Sequence, residues 1–225
     1  MTAEAGAPDS QAGEPPVALP VALPLAGRVV VVVGGGETAA RKLDALVGTG
    51  ALIHVVAPRL SAATRAHVDA SRTTSWRAAR FAPDTLVGAA LVFAATDIAE
   101  VDHAVSVAAR AAGIPVNAAD RPDDCTFFMT ATVRRGPVTI AVSTSGVSPA
   151  LASYLRRRLE GLVGQSLGEL AARVGAARRA RRASTGTTVD APWSSVVDDD
   201  LWERAEAQDW AAVDERLAAI TVDVR

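Results

Sequence analysis

Five consecutive valines, Val29 to Val33, run directly into Gly34-Gly35-Gly36, and no other feature restricts the fold of this chain so far. An unbroken β-branched run describes a strand buried on both faces, as in a parallel sheet covered by helices on each side. The glycines lead into Glu37-Thr38-Ala39-Ala40-Arg41-Lys42-Leu43, which reads as a helix start. Strand, turn and helix together fit the dinucleotide fingerprint G-x-G-x-x-G/A, with Gly34, Gly36 and Ala39 in its small positions. Gly34 would permit the tight turn, Gly36 the approach of a pyrophosphate to the backbone, and Ala39 the packing of helix on strand. The helix start would offer unpaired N–H groups and the positive end of its dipole to a phosphate. A buried strand closed by a glycine turn, with no ligand, is the plainer alternative, and the fingerprint alone leaves both open.

The pattern continues down the chain. A helix over residues 37–47 is stopped by Gly48-Thr49-Gly50. A strand over 51–56 closes at Pro58, a polar segment containing Trp76 and Phe81 follows, and a third buried strand spans 90–95. Thr96-Asp97 caps a helix over 98–112, Gly113 ends it, and 114–117 is a fourth strand. Strands alternating with helices at this spacing predict an α/β fold with right-handed crossovers, a Rossmann-like parallel sheet domain over residues 24–120.

Beyond Asp120 the pattern changes. Residues 126–133 and 138–143 read as two strands joined by Arg134-Arg135-Gly136-Pro137, and a loop over 144–147 follows. Ser148-Pro149 places an N-cap before a proline at the first helical position. The helix it opens reaches about residue 163, with Leu151, Leu155, Leu159 and Leu162 along one side. A small domain has few partners for that side, so residues 121–163 read as a β-hairpin and helix that dimerise and meet substrate. Residues 164–225 read as a small C-terminal helical domain with segregated charge. Eight Arg stand against two Glu over 151–182, and nine acids against one Arg over 190–215, so the blocks are expected to face each other. The basic run at 178–182 also fits a phosphate or nucleic-acid patch, but its acidic neighbour neutralises it. A loop is expected at 184–190, with helices starting near Asp200 and at Asp209-Trp210.

Net charge of −2 argues against bulk nucleic-acid binding. A single cysteine, Cys125, precludes an internal disulfide and suits a reducing cytoplasm. No apolar run approaches the ~20 residues needed to span a bilayer, so no membrane partner is expected. Residues 1–23, rich in Gly, Pro and acids, read as a disordered lead-in without the charged start of a secretory signal, its Leu23-Pro24 end docking on the first strand. His54, His67 and His103 lack metal-ligand spacing, so no metal site is expected.

Several short motifs recur in a fixed order: Gly34-Gly35-Gly36; Ala39-Ala40-Arg41-Lys42; Val55-Val56-Ala57-Pro58; Ala94-Ala95-Thr96-Asp97; Val116-Asn117-Ala118-Ala119-Asp120; and the stretch from Ala141 through Thr144-Ser145-Gly146-Val147-Ser148-Pro149. Together they resemble the precorrin-2 dehydrogenase/sirohydrochlorin ferrochelatase family, the N-terminal part of siroheme synthase, closely over residues 24–170 and loosely beyond. The resemblance implies NAD-dependent dehydrogenation of precorrin-2 to sirohydrochlorin, with ferrous iron a substrate in those members that also make siroheme. It implies a homodimer, and it places the essential aspartate at Asp120.

The residues themselves support part of this. Asp120 follows a predicted central strand, so it lies at the carboxyl edge where open α/β sheets bind ligands, and a partly buried carboxylate there suits a general base. A turn-capping aspartate before Arg121-Pro122 is the alternative. The cofactor side is expected to use Gly34, Gly35, Gly36, Glu37 and Thr38 at the first turn, Ala57 and Pro58 after the second strand, and Thr96 and Asp97 after the third. Asp97 serves equally as a helix cap. Asn117 either orients the site or ends its strand. Thr144, Ser145, Gly146 and Ser148, at a helix start, form a candidate receptor for the carboxylate arms of a tetrapyrrole. Arg121, Arg134 and Arg135 are candidates for charge-assisted bonds to the same arms, or solvated surface. Cys125 reads as a thiol near the site or a small buried hydrophobe. The acid that ordinarily binds the adenosine ribose is missing, and Arg59 leaves NADP open beside NAD. A regulatory module that senses NAD(P) without chemistry is the competing function. It accounts for the Rossmann half but not for Asp120, the hairpin or the 143–148 loop.

Overall fold

The computed structural model describes residues 18–185 and 193–222. Residues 1–17 of the expected lead-in, and most of the loop expected at 184–190, lie outside the described residues. The chain forms two compact units, one ending at Met129 and the other beginning at Thr130.

The first unit is a parallel sheet with helices on both faces. Its elements in chain order are β1 (Val29–Val33), α1 (Glu37–Leu46), β2 (Leu52–Val56), α2 (Ala62–Ala70), β3 (Thr74–Arg77), β4 (Ala89–Ala94), α3 (Ala99–Ala111) and β5 (Val116–Ala118). The strands lie in the order β3-β2-β1-β4-β5. β1 is central, with Val33 level with Val56 on one side and Ala94 on the other. Its alternate side chains enter different cores. Val30 and Val32 join Ala39, Leu43 and Leu46 of α1 and Phe93, while Val31 and Val33 join Val92, Val116 and Val105 and Ala109 of α3. All four valines are almost fully buried, which is why no polar residue interrupts the run.

Three expectations need correction in this unit. The polar segment after Pro58, for which the sequence predicts no element, holds α2 and β3. Ser61 opens α2, its hydroxyl accepting the Thr64 N–H at 3.2 Å. β3 is an edge strand exposed on alternate residues, so it shows no apolar run, and its main anchor is Trp76, whose indole N–H donates to Ala57 O at 2.9 Å. The fourth strand starts at Val116, because Pro115 cannot donate to a sheet ladder. Leu25 rather than Leu23 docks on the sheet, with 8% and 46% exposure respectively.

The second unit opens with an antiparallel hairpin, β6 (Ala131–Arg135) and β7 (Val138–Val142). Arg134 and Arg135 belong to the strand, not the turn. The turn is the pair Gly136-Pro137, with Gly136 at φ +54° in the position that a II′ turn reserves for glycine. Residues 126–129, expected in the hairpin, pack in the first unit instead, where the Thr126 N–H donates to Val116 O at 2.8 Å. The helices are α4 (Pro149–Leu162), α5 (Ser166–Thr185), α6 (Trp193–Val196), α7 (Asp199–Glu206) and α8 (Trp210–Val222). Leu170, Leu201, Ala205, Val213 and Leu217 form their core. The charge blocks do meet. Arg173 of α5 pairs with Asp214 of α8 and lies over the Trp210 ring at 4.9 Å. Arg216 makes two bonds of 2.9 Å to the Asp198 carboxylate and a third to Asp200 at 2.6 Å. Among the described residues no helix is long and apolar enough to cross a membrane.

Candidate active site

The strand order reverses between β1 and β4, the switch point at which doubly wound sheets bind ligands. A crevice of about 890 Å³ opens there. The glycine turn forms its floor, Ala57, Pro58 and Arg59 after β2 one wall, and Thr96 and Asp97 after β4 the other.

Steric contact explains the glycines. A Cβ on Gly34, whose φ is +131°, would lie 2.1 Å from Ala95 O, and one on Gly35 would lie 2.1 Å from Arg59 O. Gly36 is different. Its φ is −89°, and a Cβ there would meet only an Asp97 carboxylate oxygen at 3.6 Å. Gly36 is the N-cap of α1 and supplies no side-chain acceptor, so the first N–H groups of the helix are left without side-chain partners. The turn is held from behind by α2. The Ser61 N–H donates to Gly35 O at 2.7 Å, and the buried Thr64 hydroxyl donates to Gly36 O at 2.9 Å. This arrangement suits a pyrophosphate. Glu37 is exposed and Thr38 accepts a bond from Arg41 at 2.9 Å; neither side chain lines the crevice, so their contribution there is backbone N–H.

Thr96 and Asp97 do not cap α3, which starts from Ile98 without a side-chain cap. Asp97 is exposed at the crevice rim. Thr96 donates its N–H and its hydroxyl to Asp102 Oδ1, at 3.0 and 2.7 Å. Asp102 is buried, and burial pushes its carboxyl up from the usual range against the pull of these bonds. The sequence reading missed this residue. Its only signal was an acid in the first turn of α3 on an otherwise apolar face.

Asp120 lies two residues past β5, on the same carboxyl edge as the crevice and one strand beyond β4. It is exposed, not partly buried as expected, and its φ is +56°. The segment after it is clamped to α3. The buried Asp124 carboxylate pairs with His103 Nδ1 at 2.8 Å and with Arg121 Nε at 3.2 Å, and the Ser106 hydroxyl donates to Asp124 O at 2.6 Å. Arg121 is thus engaged within the loop.

Asn117 is 6% exposed and its amide is fully committed. Its Oδ1 accepts from Lys42 Nζ at 2.9 Å, and its Nδ2 donates to Phe127 O at 3.1 Å and faces Cys125 Sγ at 3.5 Å. It is a strut beneath the edge. Cys125 is half-buried and accepts the Ala118 N–H at 3.2 Å; burial pushes its thiol up. Lys42, of the Ala39-Ala40-Arg41-Lys42 motif on α1, is brought to this place, its amine held below the ordinary lysine range chiefly by burial.

In the second unit, Ser145 and Gly146 bend the loop with φ of +51° and +83°. Thr144 Oγ1 accepts the Ser148 N–H at 3.2 Å and donates to Ser148 O at 3.1 Å, while Ser148 Oγ caps α4 by accepting the Leu151 N–H at 3.2 Å. Those two hydroxyls hold the loop itself. His67 pairs with Asp44 at 3.1 Å, and among the described residues no three His, Cys, Asp or Glu side chains gather as a metal-holding group.

Comparison with known proteins bears on this geometry. Residues 21–131 match a family model described as "Putative NAD(P)-binding", and residues 135–162 match one described as "Sirohaem biosynthesis protein central". A siroheme synthase of Nitrosomonas eutropha is 47% identical over 152 residues, covering 68% of this chain and 32% of the relative. A siroheme synthase of Methylobacillus flagellatus is 44% identical over 180 residues, covering 79% and 38%. The chain therefore spans about a third of the length of the curated relatives it matches. Among solved structures, SirC, a precorrin-2 dehydrogenase, superposes with a TM-score of 0.70 over 90% of this chain and 98% of its own at 23% identity, a likeness of fold.

Proposed function

The chain belongs to the precorrin-2 dehydrogenase/sirohydrochlorin ferrochelatase family, and on that premise we propose that it oxidises precorrin-2 to sirohydrochlorin with NAD as acceptor. The observation that carries this reading is an accessible carboxylate, Asp120, in left-handed backbone just past β5, on the same carboxyl edge of the sheet as the glycine crevice. Such conformations in non-glycine residues cost free energy and concentrate at functional sites.

The cofactor fits the chain. The N–H groups of Gly35, Gly36, Glu37 and Thr38 would hold the pyrophosphate, with Ala57 and Pro58 beside the adenosine and Thr96 and Asp97 on the opposite wall. Bound NAD would supply the acceptor for the hydride that leaves a tetrapyrrole carbon. Asp120 takes the separate proton that the macrocycle loses from a second position and passes it to solvent, to which it is open. The clamp from Asp124 to α3 and the buried Asn117 below keep the carboxylate in place, so that positioning precedes proton transfer. NAD is proposed over NADP, although Arg59 and Arg80 at the rim are suited to a 2′-phosphate. Where ferrous iron is the second substrate, the same carboxylate removes the pyrrole N–H protons. A homodimer is proposed on α4, whose Leu151, Tyr154 and Leu155 are 39–50% exposed. In the loop over 143–148, Ser145 and Gly146 remain the proposed receptors for a carboxylate.

The test is anaerobic mixing of the protein with precorrin-2 and NAD. NADH and sirohydrochlorin should appear together, and Asp120→Asn, which tolerates left-handed backbone, should bind NAD normally yet turn over about a hundred-fold slower. Absence of NADH from the wild type would leave a nucleotide-sensing module. Undiminished turnover by Asp120→Asn would remove the carboxylate from the reaction. Adding ferrous iron to sirohydrochlorin in the same vessel reports on chelation.

A further inference from the structure

Lys42 is the only lysine among 23 basic residues; every other basic position carries arginine. A sequence that writes arginine so uniformly has kept a compact ammonium at one place. The two groups differ there. Guanidinium is a broad, planar fork, whereas ammonium is a point charge with three donors on a slim stem.

Among the described residues that ammonium has no ion-pair partner. Its Nζ donates to Asn117 Oδ1 at 2.9 Å and reaches Met129 Sδ at 3.7 Å, both uncharged acceptors, and it lies 5.8 Å from the centroid of the Phe93 ring. Among the described residues no carboxylate comes within ion-pair distance of it, although aspartates and glutamates pair with arginines and histidines throughout the chain. The Asp120 carboxylate is near enough to act on it electrostatically without forming a pair. A half-buried ammonium beside an aromatic ring, with a weak thioether acceptor and no ion pair, has capacity for one strong anionic acceptor. Its place fixes which one. It stands under the Asp120 edge with Asn117 of β5, whereas the cofactor's phosphates belong to the N-terminal turn of α1, well before Lys42 in that helix.

We infer that Lys42 is a substrate-binding residue whose ammonium receives a carboxylate arm of the tetrapyrrole and so orients the macrocycle over Asp120. This rests on the dehydrogenase reading given above. Asn117 then acts by holding the ammonium in place, its amide oxygen turned to the lysine and its nitrogen to Phe127 O.

The test titrates sirohydrochlorin, and separately NAD, into the wild type, Lys42→Met and Lys42→Arg, at low and at raised salt. Methionine keeps the stem and removes the charge, so the protein should fold and bind NAD unchanged while its affinity for sirohydrochlorin falls about ten-fold or more at low salt. Lys42→Arg should retain most of the salt dependence and Lys42→Met should lose part of it. Should Lys42→Met fail to bind NAD, Lys42→Gln serves the same comparison. Wild-type affinity for sirohydrochlorin in an NAD-competent uncharged variant would overturn the assignment of Lys42 and leave the dehydrogenase reading standing. No sirohydrochlorin binding by the wild type would overturn both.

Discussion

Asp102 Oδ1 accepts both the backbone N–H and the hydroxyl of Thr96, at 3.0 and 2.7 Å. One buried carboxylate oxygen thereby fixes the loop that forms a wall of the crevice, from a position outside the crevice itself.

Removing that acceptor should loosen the wall. Asp102→Ala takes the acceptor from the half-buried Thr96 N–H and leaves the Thr96 hydroxyl only Ile98 O, at 3.0 Å; it is expected to destabilise the first unit by roughly 1–3 kcal/mol, with weaker NAD binding by calorimetry. Asp102→Asn keeps an accepting oxygen and should retain affinity. Burial raises the folded-state pKa of Asp102 above its ordinary 3.8, so the stability it contributes is complete below that value and is lost as pH rises through the folded pKa. Denaturant melts should accordingly favour Asp102→Asn over the wild type increasingly as pH rises from 3.8 toward neutrality.

The glycine turn separates folding from binding. Gly34→Ala and Gly35→Ala each place a Cβ 2.1 Å from a carbonyl oxygen and should destabilise by about 1–3 kcal/mol or more. Gly36→Ala has room, its nearest neighbour being 3.6 Å away, so it should melt like the wild type and lose affinity only for the nucleotide. Equal melting temperatures for all three would show that the turn is softer than its contacts imply.

Lys42 makes an alkaline prediction with two opposite signs. Cys125, Arg41 and Asp120 are the ionisable groups that act on it, but burial dominates and lowers its pKa below the ordinary 10.5. As pH rises through the folded value the ammonium is lost, so sirohydrochlorin affinity should fall. The unfolded chain holds that proton up to 10.5, so the stability contributed by Lys42 should rise over the same window. Lys42→Arg should show neither change.

In the helical unit the acid limit is set by Arg216. Its paired bonds, followed by the Leu201 N–H, hold the Asp198 carboxyl down at about 2. A depressed carboxylate contributes stability above its unfolded value, which is lost as pH falls through the folded one. Arg216→Gln should therefore lower the melting temperature at neutral pH, and the difference should vanish as pH falls from 3.8 to about 2. A difference independent of pH would assign the effect to packing.

The central strands and the crevice were legible because their residues have little choice. Val30 to Val33 must be buried on both faces, and Gly34 marks a turn that no other residue enters at φ +131°. β3 was hidden, since an edge strand buries only alternate residues and Trp76 is its one large anchor. The hairpin turn was misplaced because two arginines resemble a loop, whereas here they lie in a strand half open to water. The carboxyl-edge position of Asp120 was legible from the strand before it. Lys42 and Asp102 were not. Lys42 meets Asn117 75 residues away, and spacing along the chain carries no trace of such a contact. Asp102 is only six residues from Thr96, but its bonds to that residue close the bend between β4 and α3, which a helical periodicity does not show.

The oxygens of Gly35 and Gly36 are already engaged by Ser61 and Thr64. With those two oxygens spent behind the turn, the groups that the turn itself presents to a phosphoryl group are the amide hydrogens at the start of α1. Affinity at the front of the loop is therefore inherited from a second helix behind it, and drift in the helix bearing Thr64 would erode coenzyme retention while every residue in contact with the coenzyme stayed the same.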